Sequence, residues 1–137
     1  MTPIAIVDTN VLVAGLLTSD TDAPTARILD GMLAAAFPFA VSTALLAEYR
    51  DVLHRPRLRK LHGLTADETE TVLVEMAAHA IVLPTVPATA APDPGDQHLW
   101  DLLAAREELI LATGDKRLLQ SEMQPRIRTP RQFLDPA

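Results

Sequence analysis

Four short apolar runs, none interrupted by a charge, alternate along this chain with stretches of helical periodicity, and that alternation constrains the fold more than any other feature. The runs are I-A-I-V at residues 4–7, F-P-F-A-V at 37–41, A-I-V-L at 80–83 and L-I-L-A at 109–112. Four or five residues are too few for a helix. Without polar alternation, such runs read as strands buried on both faces, the pattern of a parallel sheet covered by helices. Pro38 is compatible with the second run because it falls at the strand's start. A chain of 137 residues suits one core rather than two. The expectation is α/β: a single three-layer α/β/α domain over residues 1–137 with a mainly parallel central sheet.

Between the runs, residues 11–17 read as a short helix that Thr9 or Asn10 can cap, and 18–24 as a polar loop. Leu29, Met32 and Leu33 give residues 26–36 a helical stripe. Ser42 or Thr43 caps a helix over 44–53, which Pro56 ends or kinks, and Gly63 punctuates the basic segment after it. Thr65 and Glu68 form a capping box for a helix carrying Val72, Leu73 and Met76. Prolines at 84, 87, 92 and 94 make residues 84–95 an extended connector. Leu99, Trp100 and Leu103 mark a helix ending near Glu108, residues 116–119 a helical turn, 126–128 an edge strand and 130–134 a closing turn.

Composition narrows the function classes. The chain is 48% apolar and 22% charged, within the globular range. It has no cysteine, so disulfides and thiolate metal sites are excluded. No basic region precedes the first apolar run, which meets Asp8 after four residues. Neither a signal peptide nor a membrane span is read, and a cytoplasmic protein is expected. A net charge of −6 argues against holding nucleic acid by overall electrostatics. The H-R-P-R-L-R-K-L-H segment at 54–62 is a local exception, and Arg55, Arg57, Arg59 and Lys60 read either as a solvated face or as contacts to nucleic acid or a partner. The four histidines have no metal-ligand spacing and read as surface or satisfied core residues.

The acids are better placed. Asp8 and Asp115 follow the first and fourth apolar runs, and in open α/β sheets the carboxyl ends of strands face the ligand crevice. Glu48 lies about 60° from Leu45 on its helix, at the rim of the apolar stripe, where a carboxylate needs a partner such as Arg50, Arg55 or Arg59. Asp96 opens the helix leading to the fourth run. Simple helix capping is the competing reading for both Asp8 and Asp96. Four carboxylates in one crevice raise one another's pKa values or demand a cation. An all-oxygen set selects Mg²⁺ or Mn²⁺, and a retained water beside a carboxylate base is a nucleophile for phosphodiester cleavage.

Taken together, I-V-D-T-N-V-L-V-A-G, the A-E-Y helix, D-P-G-D-Q-H-L-W and L-A-T-G-D-K-R-L-L resemble the PIN domain, in particular the VapC-like toxin ribonucleases, from residue 4 to residue 133. The resemblance implies a metal-dependent endoribonuclease with Asp8, Glu48, Asp96 and Asp115 as the acidic quartet. Asn10, Thr113 and Asp93 then support that quartet or hold water. Relatives often carry an acid where Gly95 stands. The resemblance also implies a homodimer and a small antitoxin that blocks the site.

Other classes compete. A catalytically silent PIN-like scaffold would bind RNA or protein through the same fold, and keeping all four acids in register disfavours it. A Mg²⁺-binding receiver domain needs an acid beside Asp8 and a lysine farther from Asp115 than Lys116, and an aspartyl phosphatase needs D-x-D where Asn10 stands.

Overall fold

The computed structural model describes residues 3–121 and 126–135. The expected domain of residues 1–137 therefore includes residues 1, 2, 122–125, 136 and 137, which lie outside the described residues. The elements are β1 (Ile4–Val7), α1 (Thr9–Leu17), α2 (Pro24–Leu33), β2 (Ala40–Val41), α3 (Thr43–Leu53), α4 (Pro56–His62), α5 (Ala66–His79) and β3 (Ile81–Val82). A 3₁₀ turn (Pro94–Asp96) then leads into α6 (Gln97–Leu103), β4 (Leu109–Ala112), α7 (Lys116–Leu119), β5 (Ile127–Arg128) and α8 (Pro130–Leu134).

All strand pairings among these elements are parallel. β4 lies between β1 and β5, with Ile4 opposite Leu109 and Val7 opposite Ala112. β2 pairs with β3, and a bridge between Ala5 and Phe39 joins the two ladders, the Ala5 N–H donating to the Pro38 carbonyl at 3.0 Å. The strand order is thus β3-β2-β1-β4-β5. Chain direction across the sheet reverses between β1 and β4, the position at which α/β sheets open a crevice at their carboxyl edge. All four residues of β1 are buried, as its continuous apolar run requires.

Several boundaries differ from expectation. α1 begins at Thr9 rather than Val11, because the chain turns into the helix directly from Asp8; Thr9 and Asn10 are therefore helical residues, not caps. α2 spans Pro24–Leu33 instead of 26–36, with Pro24 in the first turn where its missing N–H costs nothing, and Ala35 leaves the helix at a φ of 53°. β2 and β3 keep two paired residues each, since only those complete the ladder. α6 stops at Leu103, short of Glu108. There the Arg126 guanidinium donates to the carbonyls of Leu103 at 2.6 Å and Arg106 at 2.7 Å, satisfying groups at the helix end. The basic segment forms a helix of its own, α4, with Pro56 in its first turn and Gly63 left-handed (φ 72°) at its C-cap. Ser42 caps α3 by accepting from the Leu45 N–H at 3.1 Å, and the Thr65–Glu68 capping box is present.

The core runs from Ile4 to Ile127 and gathers Leu12, Ile28, Met32, Leu45, Tyr49, Met76, Trp100 and Leu111 around the sheet. Gly15 lets α1 and α2 approach closely: a Cβ there would stand 2.7 Å from the Thr25 carbonyl oxygen.

Candidate functional site

The carboxyl ends of β1 and β4 are locked side by side. The Asp8 N–H extends the ladder to the Ala112 carbonyl at 3.0 Å, and the Thr113 N–H reaches the Arg128 carbonyl at 3.0 Å. Asp8 occupies the N-cap position of α1 but makes no side-chain capping bond. Its carboxylate instead accepts from the Thr113 hydroxyl at 2.8 Å and from the Asn10 amide at 3.3 Å, both on Oδ2. Thr113 in turn accepts the Asp115 N–H at 3.0 Å, and Asn10 Oδ1 accepts the Gly114 N–H at 3.2 Å. The loop from Thr113 to Asp115 is thereby tied to the first turn of α1.

Asp8 is only 7% exposed. Burial raises its pKa from an ordinary 3.8 to about 6; the Thr113 hydroxyl opposes this, Asp96 and Glu48 add to it, and the Thr9 N–H again opposes. Removing a carboxylate from water disfavours its charge, and neighbouring anions disfavour it further. Behind Asp8, the buried Tyr49 hydroxyl donates to the Val7 carbonyl, and burial pushes the Tyr49 pKa well up.

Glu48 does not pair with an arginine. Arg50 goes to Glu70 at 2.6 Å and Arg55 to Asp51 at 2.9 Å, while Glu48 Oε2 accepts the Thr9 hydroxyl at 2.6 Å and lies 3.4 Å from His98 Nε2. The sequence reads His98 as a surface or satisfied core residue, and the structure corrects this, placing it half-buried beside Glu48. Its Nδ1 is buried without a hydrogen-bond partner among the described residues.

Asp96 stands at the N-cap of α6 without a side-chain capping bond, so the capping explanation fails for it as it does for Asp8. Its pKa is raised by burial, then by Asp115 and Asp93, against smaller opposing effects of His98 and Arg117. Asp115 does cap: its Oδ1 accepts the Arg117 N–H at 2.9 Å at the start of α7. Asp93 has both oxygens engaged, Oδ1 with the Gly95 N–H at 2.8 Å and Oδ2 with Arg117 at 3.4 Å. Arg117 is thus the cation at the rim, also 3.8 Å from Asp115.

Asp8, Glu48, Asp96 and Asp115 therefore share one electrostatic neighbourhood at the switch point. Among the described residues, no three Asp, Glu or His side chains approach closely enough to form a ready cage for an ion. The hard oxygen donors suit Mg²⁺, which commonly binds through one or two carboxylates and keeps several waters, so no such cage is required. The basic residues stand apart. Arg55 at the N-cap of α4 and Arg57, Arg59 and Lys60 on it are exposed, α4 packs on α1 and α3, and among the described residues none of the four pairs with these acids.

The parallel sheet, the switch point and the acids at its mouth define an α/β protein with an acidic site at the carboxyl edge of its sheet. The profile of the PIN domain family matches residues 5–117, from the second residue of β1 into α7, and the chain belongs to that family. PIN domains are typically nucleases and generally use divalent metals. No curated protein matches the chain. Among the described residues, no helix is long and apolar enough to cross a membrane.

Proposed function

We propose that this protein is a Mg²⁺- or Mn²⁺-dependent endoribonuclease that hydrolyses RNA phosphodiester bonds at the crevice between β1 and β4. The observation that carries the reading is Asp8, a buried carboxylate with a raised pKa, whose helix-capping role is unused and whose neighbours include Asp96 and Glu48. A divalent ion supplies Lewis acidity toward phosphate oxygens and water when bound. Asp8 and Asp96 are the residues to hold it, with Asp115 and Glu48 completing the acidic set. Thr113 and Asn10 orient Asp8. Asp93, engaged by Arg117 and the Gly95 N–H, supports the loop rather than the ion.

In the reaction, a water oxygen bonds to phosphorus as the bond from phosphorus to the leaving ribose oxygen breaks. The water's proton passes to a carboxylate, and Glu48 Oε1, which has no hydrogen-bond partner among the described residues, is our assignment for that base. Arg55, Arg57, Arg59 and Lys60 bind the RNA backbone outside the crevice. The resemblance to VapC-like proteins extends the proposal to a cytoplasmic toxin, homodimeric and silenced by a small antitoxin. A small reading frame beside the gene, whose product co-purifies with this protein, would support that extension.

The second reading is a catalytically silent scaffold that binds RNA or protein through the same fold. One experiment separates the two: incubation of single-stranded RNA with purified protein in Mg²⁺, Mn²⁺ or excess chelator. The nuclease reading expects cleavage with either metal and none in chelator. Cleavage undiminished by chelator overturns the metal requirement, and no cleavage under any condition favours the scaffold.

A further inference from the structure

We infer that His98 is a positioning residue which, together with Thr9, sets the carboxylate of Glu48 for ion and water binding; this inference rests on the nuclease reading above. Glu48 arises from α3, whereas Asp8 and Asp96 come from the ends of other elements, so their separation depends on links across elements. The structure contains two such links, and both end on the same atom. The Thr9 hydroxyl, one residue from Asp8, donates to Glu48 Oε2 at 2.6 Å. His98 Nε2, two residues from Asp96, lies 3.4 Å from that oxygen.

A carboxylate only accepts hydrogen bonds, so the imidazole faces it with an N–H. At 3.4 Å the contact is looser than an ordinary hydrogen bond and orients Glu48 through the ring's N–H dipole and packing. Thr9 and His98 both engage Oε2, whereas Oε1 has no hydrogen-bond partner among the described residues. The arrangement has a cost at Nδ1, buried without a partner among the described residues. An unsatisfied buried polar atom is unfavourable, and a leucine of similar size would avoid it. Its presence beside Glu48 is explained if the Nε2 face is needed there.

The test is Mn²⁺ titration by calorimetry of the full chain and of His98→Leu, His98→Gln and Thr9→Val, with thermal melting of each in chelator. Gln can present an amide N–H near the Nε2 position, whereas Leu and Val cannot donate. Outer groups that orient ligands commonly contribute about 10–100-fold to metal affinity. Mn²⁺ affinity is expected to fall by about tenfold or more in His98→Leu and Thr9→Val and to recover to within about threefold of wild type in His98→Gln. The loss is expected even where a variant melts at the wild-type temperature. Wild-type affinity in His98→Leu overturns the inference, as does a loss in His98→Gln as deep as in His98→Leu while both melt like wild type. A wild-type chain that neither binds Mn²⁺ nor cleaves RNA overturns the nuclease reading itself. If His98→Leu fails to fold, Thr9→Val and His98→Gln decide: wild-type affinity in Thr9→Val, or a tenfold loss in a folded His98→Gln, overturns the inference.

Discussion

Asp8 places a charge where the fold least favours one. Its pKa lies near 6 in the folded chain and near 3.8 in an ordinary setting, so between those values the folded state binds a proton that the unfolded state has released. Stability from this group is therefore lowest above about pH 6 and rises as pH falls through 6 toward 3.8. Two pKa units correspond to roughly 3 kcal/mol at neutral pH. Without metal, Asp8→Asn is expected to melt above wild type at pH 7, with the gap closing by pH 4. The Asn carbonyl can still accept the Thr113 hydroxyl. A variant clearly less stable than wild type at pH 7 would mean that Asp8 chiefly serves the fold. The position of Asp8 was legible because a continuous apolar run stops on it, and that of Asp115 because it stands three residues beyond another such run. Glu48 was legible as an acid at the rim of an apolar stripe, but its partners were not. Thr9 and His98 lie 39 and 50 residues away in sequence, and nothing local to Glu48 points to them. Of the nearby arginines that looked the natural partners, Arg50 and Arg55 are taken by Glu70 and Asp51.

Elements connect these residues through a few backbone contacts. Tyr49 on α3 donates its buried hydroxyl to the last carbonyl of β1, one residue before Asp8. Tyr49→Phe leaves that carbonyl unsatisfied and is expected to cost about 1–3 kcal/mol, read as a lower urea midpoint with an unchanged m-value. An unchanged midpoint would show that the bond contributes nothing net. The basic helix α4 carries a separate prediction. Each phosphate contact on single-stranded RNA contributes about −0.7 to the log–log salt slope. Replacing Arg57 and Arg59 with alanine is expected to flatten that slope by roughly one unit, weaken binding alike across sequences, and leave cleavage at saturating RNA nearly unchanged. An unchanged slope would assign α4 to a solvated face or a protein contact. At this scale the sequence spoke clearly wherever elements are local. The apolar run of β4, the capping box of α5 and the turn at α7 all follow from neighbouring residues. The end of α6 does not, because Arg126, more than twenty residues on, supplies its terminal hydrogen bonds.

The whole molecule is a parallel sheet whose order β3-β2-β1-β4-β5 puts β1 at the centre and the direction change at its side. That order gathers acids from residues 8, 48, 96 and 115 into one neighbourhood, although nothing near any one of them in sequence names the other three. Four of the five strands and the parallel polarity were legible from the apolar runs, whereas the strand order rests on the Ala5–Phe39 bridge and on pairings of only two residues at β2–β3 and β4–β5. On the proposed reading, this gathered set of acids performs RNA hydrolysis. Its most direct test is the cleavage rate of a labelled single-stranded RNA in Mn²⁺, with wild type and Asp8→Asn purified in parallel and both confirmed as folded. Wild type is expected to cleave and Asp8→Asn to fall to background. Cleavage by Asp8→Asn at the wild-type rate would contradict the claim.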